Sequence, residues 1–222
     1  MTNEDPTLLD ADGRPPVTLG NELLRKLIHM ASLGIPIGYK LTDQGTALVV
    51  VGGLLVFAIL LEYGRMASST VNYWFIRFVG KMLREEETGS YSGATYLLLA
   101  SFLSILVFHQ DIAVLCLLFL IVGDSTAALV GRRFGKMHVF GKTVEGTLAF
   151  ITVALVIALF FPAIPAIIRL GGVIVAALAE LMPSRVNDNL RIPVVAGSIM
   201  EILYVQYLKE LPPILIEGGR IL

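Results

Sequence analysis

With a single cysteine, Cys116, the chain has no route to an intrachain disulfide or a cysteine-rich metal site. Val114 and Leu115 precede it and Leu117 and Leu118 follow, so it reads as a buried helix residue. Charge is also scarce. Asp, Glu, Lys and Arg make up 16% of the chain, where soluble domains carry about 25%. The formal net charge of −1 leaves no basic excess for a nucleic acid, and no nucleic-acid partner is expected. The opening "MTNEDPTLLDADGRPPVTLG" lacks a basic stretch followed by an apolar one. It reads as a disordered tail over residues 1–20, not as a cleaved signal. No internal repeat or low-complexity tract is visible.

What the chain has is apolar length. Hydrophobic residues make up 55% of it, and a bilayer core of about 30 Å asks for roughly 20 of them per helix. Seven stretches qualify: about 22–41, 44–63, 93–109, 111–131, 146–162, 166–183 and 190–208. The expected fold is all-α, a polytopic membrane bundle of about seven transmembrane helices filling residues 21–209, with a C-terminal tail at 210–222. Links at 42–43, 109–110 and 163–165 are short, so each joins an antiparallel hairpin. The long links, 64–92, 132–145 and 184–189, then share one side with the N-terminus. Of the Lys and Arg residues, only Lys40, Arg169, Lys209 and Arg220 fall toward the other side. The positive-inside rule therefore puts the N-terminus and the long links in the cytoplasm. In the first long link, Val71, Trp74, Phe75, Phe78 and Met82 recur at helical spacing, with Arg77, Lys81 and Arg84 mostly opposite. That pattern predicts one amphipathic helix lying in the interface, an anchor or a rim for lipid entry.

Ionisable groups inside membrane spans are costly and mark function. Here they gather at the cytoplasmic helix ends. Glu22, Lys26 and His29 share a face of the first helix, with Arg25 adjoining. Asp124 lies seven residues before Gly131, about 10 Å inside its helix end. Gly123, Ala127 and Gly131 form a stripe of small residues that lets another helix approach. Glu145 opens the fifth span, Glu180 closes the sixth, and Asn187, Asp188 and Asn189 follow. Glu62 and Glu201 are as readily structural as functional, and His109 and His138, in links, are weak signals alone. Asp124, Glu145, Glu180 and Asp188 thus share one face with Arg132, Arg133, Lys136 and Lys142. Carboxylates, amines and a glycine-rich turn suit a magnesium–nucleoside triphosphate.

The run "GRRFGKMHVFGKTVEG" ends on Gly141-Lys142-Thr143, the close of a P-loop. It is not one: the pattern G-x-x-x-x-G-K-[ST] follows a strand, whereas Gly135 precedes Gly141 by one residue too many and a membrane helix comes before. The whole run from Gly123 to Gly146 carries more weight. It resembles the nucleotide signature of the CTP-dependent lipid kinases, the family of dolichol, phytol and CTP-using diacylglycerol kinases, which is related to the phosphatidate cytidylyltransferases. "ELLRKLIHMASLG", "EEETGSYSGATYLLLA" and "NDNLRIPVVAG" resemble three further blocks, so the likeness spans about 22–208.

The resemblance implies transfer of the γ-phosphate of CTP to the hydroxyl of a membrane lipid alcohol: phytol, a polyprenol, dolichol or diacylglycerol. Carried over residue by residue, Asp124 and Glu145 hold Mg²⁺. Lys136 and Lys142, with Arg132 or Arg133, hold phosphates. Gly123 and Thr143 belong to the signature, and Gly131, Gly135 and Gly141 let the backbone come close. Arg25, Lys26 and His29 line the same site; Asp188, Asn189 and Glu180 face the alcohol or the nucleotide. Asp124, Lys142, Glu145 and Asp188 make up the catalytic set. A cytidylyltransferase making a CDP-lipid would use the same charges. A transporter would place its charges near the midplane on broken helices, which is not the pattern here.

Overall fold

A computed structural model describes residues 26–27, 29–79, 90–184 and 186–210, and the backbone at 216–217 and 220–221. The N-terminal tail, Arg25, Lys81, Met82, Arg84 and the side chain of Phe78 lie outside the described residues. The architecture is all-α with two minor two-stranded ladders. Helices are α1 (Gly34–Leu41), α2 (Gln44–Ala67), α3 (Ser69–Val79), α4 (Gly93–Val107), α5 (Gln110–Leu118), α6 (Ser125–Phe134), α7 (Val144–Leu159), α8 (Ala166–Leu181) and α9 (Asp188–Glu210). Strands are β1 (His138–Val139), β2 (Lys142–Thr143), β3 (Ile216–Glu217) and β4 (Arg220–Ile221). A π-helical segment, Phe119–Asp124, joins α5 to α6.

Six of the apolar stretches become helices whose ends lie within a few residues of the expected ones. The first does not form one rod. Pro36 has no N–H to give to the Ser32 carbonyl, and the Ile35 N–H takes that oxygen instead at 2.9 Å. Ser32 and Leu33 form a turn, and α1 starts beyond it at Gly34. Among the described residues two helices are long and apolar enough to cross a membrane, Gln44–Ala67 and the continuous helix Gln110–Phe134. Gly93–Val107 and Val144–Leu159 are apolar but shorter.

The helix through α5, the π segment and α6 is the axis of the bundle. Ile112, Leu115, Leu117, Phe119, Leu120 and Ile121 are fully buried, enclosed by α1, α4, α7, α8 and α9. By contrast α2 shows Val49, Phe57 and Leu60 to the outside, and Ile167 of α8 and Ile202 of α9 are equally bare. Contiguous apolar surface of this kind suits hydrocarbon, not water.

Polar links sit at the two ends. At one end Lys40 pairs with Asp111, and Glu201 accepts the His109 backbone N–H at 2.9 Å and faces its Nδ1. Arg169 donates to the Ala158 carbonyl at the end of α7 (3.0 Å). At the opposite end Glu62 and Arg65 form a buried pair at 2.6 Å. Glu62 also accepts the Ser92 N–H (3.0 Å), and Arg65 donates to Ser90 (2.7 Å) and lies over the Phe75 ring. Glu62 and Glu201 are therefore structural: one ties α2, α3 and α4 together, the other ties α5 to α9. In α3, Phe75 turns inward while Val71 and Trp74 stay exposed.

Removing one member of a buried pair leaves the other charged and alone. Glu62→Ala is expected to cost about 3–5 kcal/mol. The readout is thermal unfolding of the detergent-solubilised protein, and an unchanged midpoint would mean that Arg65 is not buried.

Candidate active site

The π segment ends at Asp124. Its wider turn inserts an extra residue into the helix, a feature common at functional sites. Gly123 makes room for a neighbour there: a Cβ on it would lie 2.7 Å from the Phe150 ring. Asp124 Oδ2 lies 2.6 Å from the ammonium of Lys26, whose side chain is 5% exposed. Each charge would be prohibitive there alone, and each offsets the other. His29, one turn beyond Lys26, is within electrostatic reach of Asp124. The Thr126 hydroxyl turns back to the Val122 carbonyl (2.8 Å) and away from the site.

Beyond α6 the glycine-rich run folds as a β-hairpin that the sequence reading did not foresee. His138 pairs with Thr143 and Val139 with Lys142. Phe140 (φ 51°) and Gly141 (φ 80°) form the two-residue turn. Two successive positive φ values are the mark of a mirror-image hairpin turn, which is why a glycine is useful there. Thr143 then caps α7, its hydroxyl accepting the Gly146 N–H at 3.2 Å. Gly146 meets α6 closely: a Cβ on it would lie 2.7 Å from the Ala127 carbonyl oxygen. Gly131 and Gly135 likewise face Thr143. Their lack of side chains serves the crossing of α6, the hairpin and α7, where the sequence suggested backbone approach to a phosphate.

The hairpin carries Lys142 to the ends of two other helices. Its ammonium lies 2.9 Å from Glu180 Oε1, in the last turn of α8, and 2.7 Å from Asp188 Oδ2, the first residue of α9. Thr147 Oγ1 holds the second Glu180 oxygen (3.2 Å), and Arg191 Nη2 holds the second Asp188 oxygen (2.5 Å). Burial alone would pull the Lys142 pKa down. Asp188 and then Glu180 outweigh it, and the net shift is upward, so Lys142 is charged through the neutral range.

These elements enclose a cavity of about 380 Å³. It brings together Lys26, Asp124, Gly131, Arg132, Gly141, Lys142, Thr143, Glu180 and Asp188, with His138 and Gly146 in the wall. Other expected members lie elsewhere. Arg133, Gly135, Lys136 and Glu145 line a separate depression. Glu145 receives the Met137 N–H (3.4 Å) there, so it does not stand beside Asp124. Asn189 donates to the Gly93 carbonyl (2.8 Å), tying α9 to α4 instead of facing the cavity. Thr147 and Arg191 were missed. Their only signal was spacing, one turn beyond Thr143 and Asp188 respectively.

Among the described residues no group of three or more His, Cys, Asp or Glu is placed to hold a metal alone. The cavity carboxylates still fit magnesium. That ion takes one or two carboxylates, keeps several waters and shares the rest of its shell with substrate phosphates. Asp124, with Glu180 and Asp188 across the cavity, supplies such a set.

The chain is similar to several known proteins. It is 26% identical over 184 residues to an uncharacterised protein of Rickettsia prowazekii, covering 78% of this chain and 89% of that one. It is 25% identical over 221 residues to the CTP-dependent diacylglycerol kinase 1 of Saccharomyces cerevisiae, covering 85% and 76%. A 60-residue stretch is 35% identical to the CTP-dependent diacylglycerol kinase 1 of Schizosaccharomyces pombe, covering 27% and 28%. No model of a protein family matches the chain, and no solved structure matches it.

A methyl group at Gly146 would meet backbone, which cannot step aside. Gly146→Ala is expected to lose about 1–3 kcal/mol through overpacking. The check is the thermal midpoint in detergent; a wild-type midpoint would show that α6 and α7 do not cross this closely.

Proposed function

We propose that this protein is a membrane-embedded, CTP-dependent lipid kinase that moves the γ-phosphate of CTP onto a lipid hydroxyl. The observation that carries this reading is the cavity in which Lys26 with Asp124, and Lys142 with Glu180 and Asp188, face one another. Its paired amines and carboxylates have the chemistry that a metal-bound polyphosphate needs. Similarity along most of the chain to a CTP-dependent diacylglycerol kinase supports both donor and acceptor class. Diacylglycerol and isoprenoid alcohols both fit that class.

The site sits where such a reaction needs it. The cavity lies at helix ends, and the helices leading away from it are sheathed in exposed apolar side chains. In the proposed arrangement about seven spans cross the bilayer, with the N-terminus and the cavity on the cytoplasmic side and α3 in the interface. CTP then enters from water, and the lipid enters sideways with its tail still in hydrocarbon.

Phosphoryl transfer depends on alignment and charge neutralisation more than on covalent help. The lipid oxygen forms a bond to the γ-phosphorus as the bond to the β-bridging oxygen breaks. CDP leaves, and the hydroxyl proton passes to a cavity carboxylate or to water. Lys142 and Arg132 neutralise the phosphates from one wall and Lys26 from the other. Asp124 and Asp188 are the carboxylates best placed to orient the hydroxyl. Asp124, or the Glu180 and Asp188 pair, would hold magnesium, which when bound supplies charge neutralisation to the phosphates.

Asp124→Ala and Lys142→Ala are each expected to lower transfer at least about 10²-fold, the usual loss when a group that stabilises transition-state charge is removed. The assay incubates purified protein with Mg²⁺ and γ-labelled CTP or ATP, offering diacylglycerol, phytol and a polyprenol. Label entering a lipid from CTP supports the kinase; label entering only from ATP overturns the donor. Pyrophosphate release with phosphatidic acid, and no labelled lipid, would replace the kinase by a cytidylyltransferase. Full activity in both variants, with the fold intact by circular dichroism, would remove these two residues from the site.

A further inference from the structure

Both lysines assigned to phosphates are already occupied. Lys26 is held by Asp124 at 2.6 Å, and Lys142 by Asp188 at 2.7 Å and Glu180 at 2.9 Å. A polyphosphate must share these ammonium groups with the carboxylates. If it comes bare, phosphate oxygens and carboxylates are forced together around the same ammonium groups, where like charges repel. If it carries a divalent cation, that charge offsets the carboxylates.

The two carboxylates on Lys142 differ in their freedom to withdraw. The Asp188 side chain is 32% exposed, so it is open to solvent even though Arg191 holds its second oxygen. Glu180 is 4% exposed, its second oxygen is fixed by Thr147, and it stands in the last turn of α8. It stays where it is when a ligand reaches Lys142.

We infer that Glu180 makes the cavity selective for a nucleoside triphosphate carrying a divalent cation, because its fixed carboxylate repels a bare polyphosphate from Lys142. The inference rests on the nucleotide-binding reading proposed above and assigns Glu180 a specificity role in it. Thr147 is the positioning residue that denies Glu180 an escape.

The test is equilibrium dialysis of the full chain in detergent against labelled CTP, once with EDTA and once with MgCl₂. Wild type is expected to bind well only with magnesium. Glu180→Gln retains the length of the side chain and removes its charge. It is expected to raise the affinity for metal-free CTP about tenfold or more, while Glu180→Asp, which stays charged, preserves the wild-type preference. If Glu180→Gln does not fold, Glu180→Met is neutral and of similar length and carries the same expectation. Equal metal-free affinity in wild type and the neutral variant overturns the inference alone. A wild-type chain that binds CTP under neither condition overturns the nucleotide reading beneath it.

Discussion

Burying a carboxylate in the axial helix requires a cation, and Lys26 is the side chain that reaches Asp124. Much of the site follows from that contact. Among the described residues the helix carrying Asp124 is enclosed by α1, α4, α7, α8 and α9 along α5 and the π segment. Its interior cannot accommodate a lone charge, so the segment before α1 must run close to the π segment and bring His29 near with it. The π turn is what the helix gives up to present Asp124 at that point. Gly123, just before it, lets the Phe150 ring of α7 close against the same turn. A charged pair and an aromatic wedge thus fix the two sides of one residue.

The bundle's two ends are both polar, but they are built differently. At the end holding Lys40 and Asp111, charged groups pair singly, Lys40 with Asp111 and Glu201 with His109, or stop a helix end, as Arg169 does on Ala158. Such contacts close the loops. At the cavity end one ammonium, Lys142, donates to two carboxylates from two helices, and each carboxylate has a further donor behind it. A network of this kind needs more charge than loop closure requires.

Helix positions were legible because apolar runs of the right length admit few alternatives. The cavity members on helix ends were legible for a related reason: a charge in an apolar run has few innocent explanations. What the sequence hid was three-dimensional. Pro36 broke the first span through a hydrogen bond that residue counting cannot see. Glu145 and Lys142 are close in the chain, yet they face different hollows because the hairpin turns one away from the other. Gly131 and Gly135, read from the sequence as letting backbone come close, also make room for Thr143 of the hairpin, a use that asks for the same missing side chain.

The hairpin resolves a problem that helices alone leave open. From α7 the short Thr147 side chain reaches Glu180, but the hairpin is what carries an ammonium to both Glu180 and Asp188. Two short strands with a two-residue turn free the chain from helical periodicity for just long enough. Met137 accepts the Val144 N–H (2.9 Å) and Thr143 caps α7, so the hairpin is closed at its base and its reach is fixed. Lysine suits that position. It is a compact charge that two carboxylates approach from different directions, where the planar fork of an arginine favours one carboxylate held side-on. The glycine that allows the turn and the threonine that ends it flank Lys142 directly. The resulting Gly-Lys-Thr looks like a P-loop and arises from a different requirement: moving one cation across a gap between helix ends.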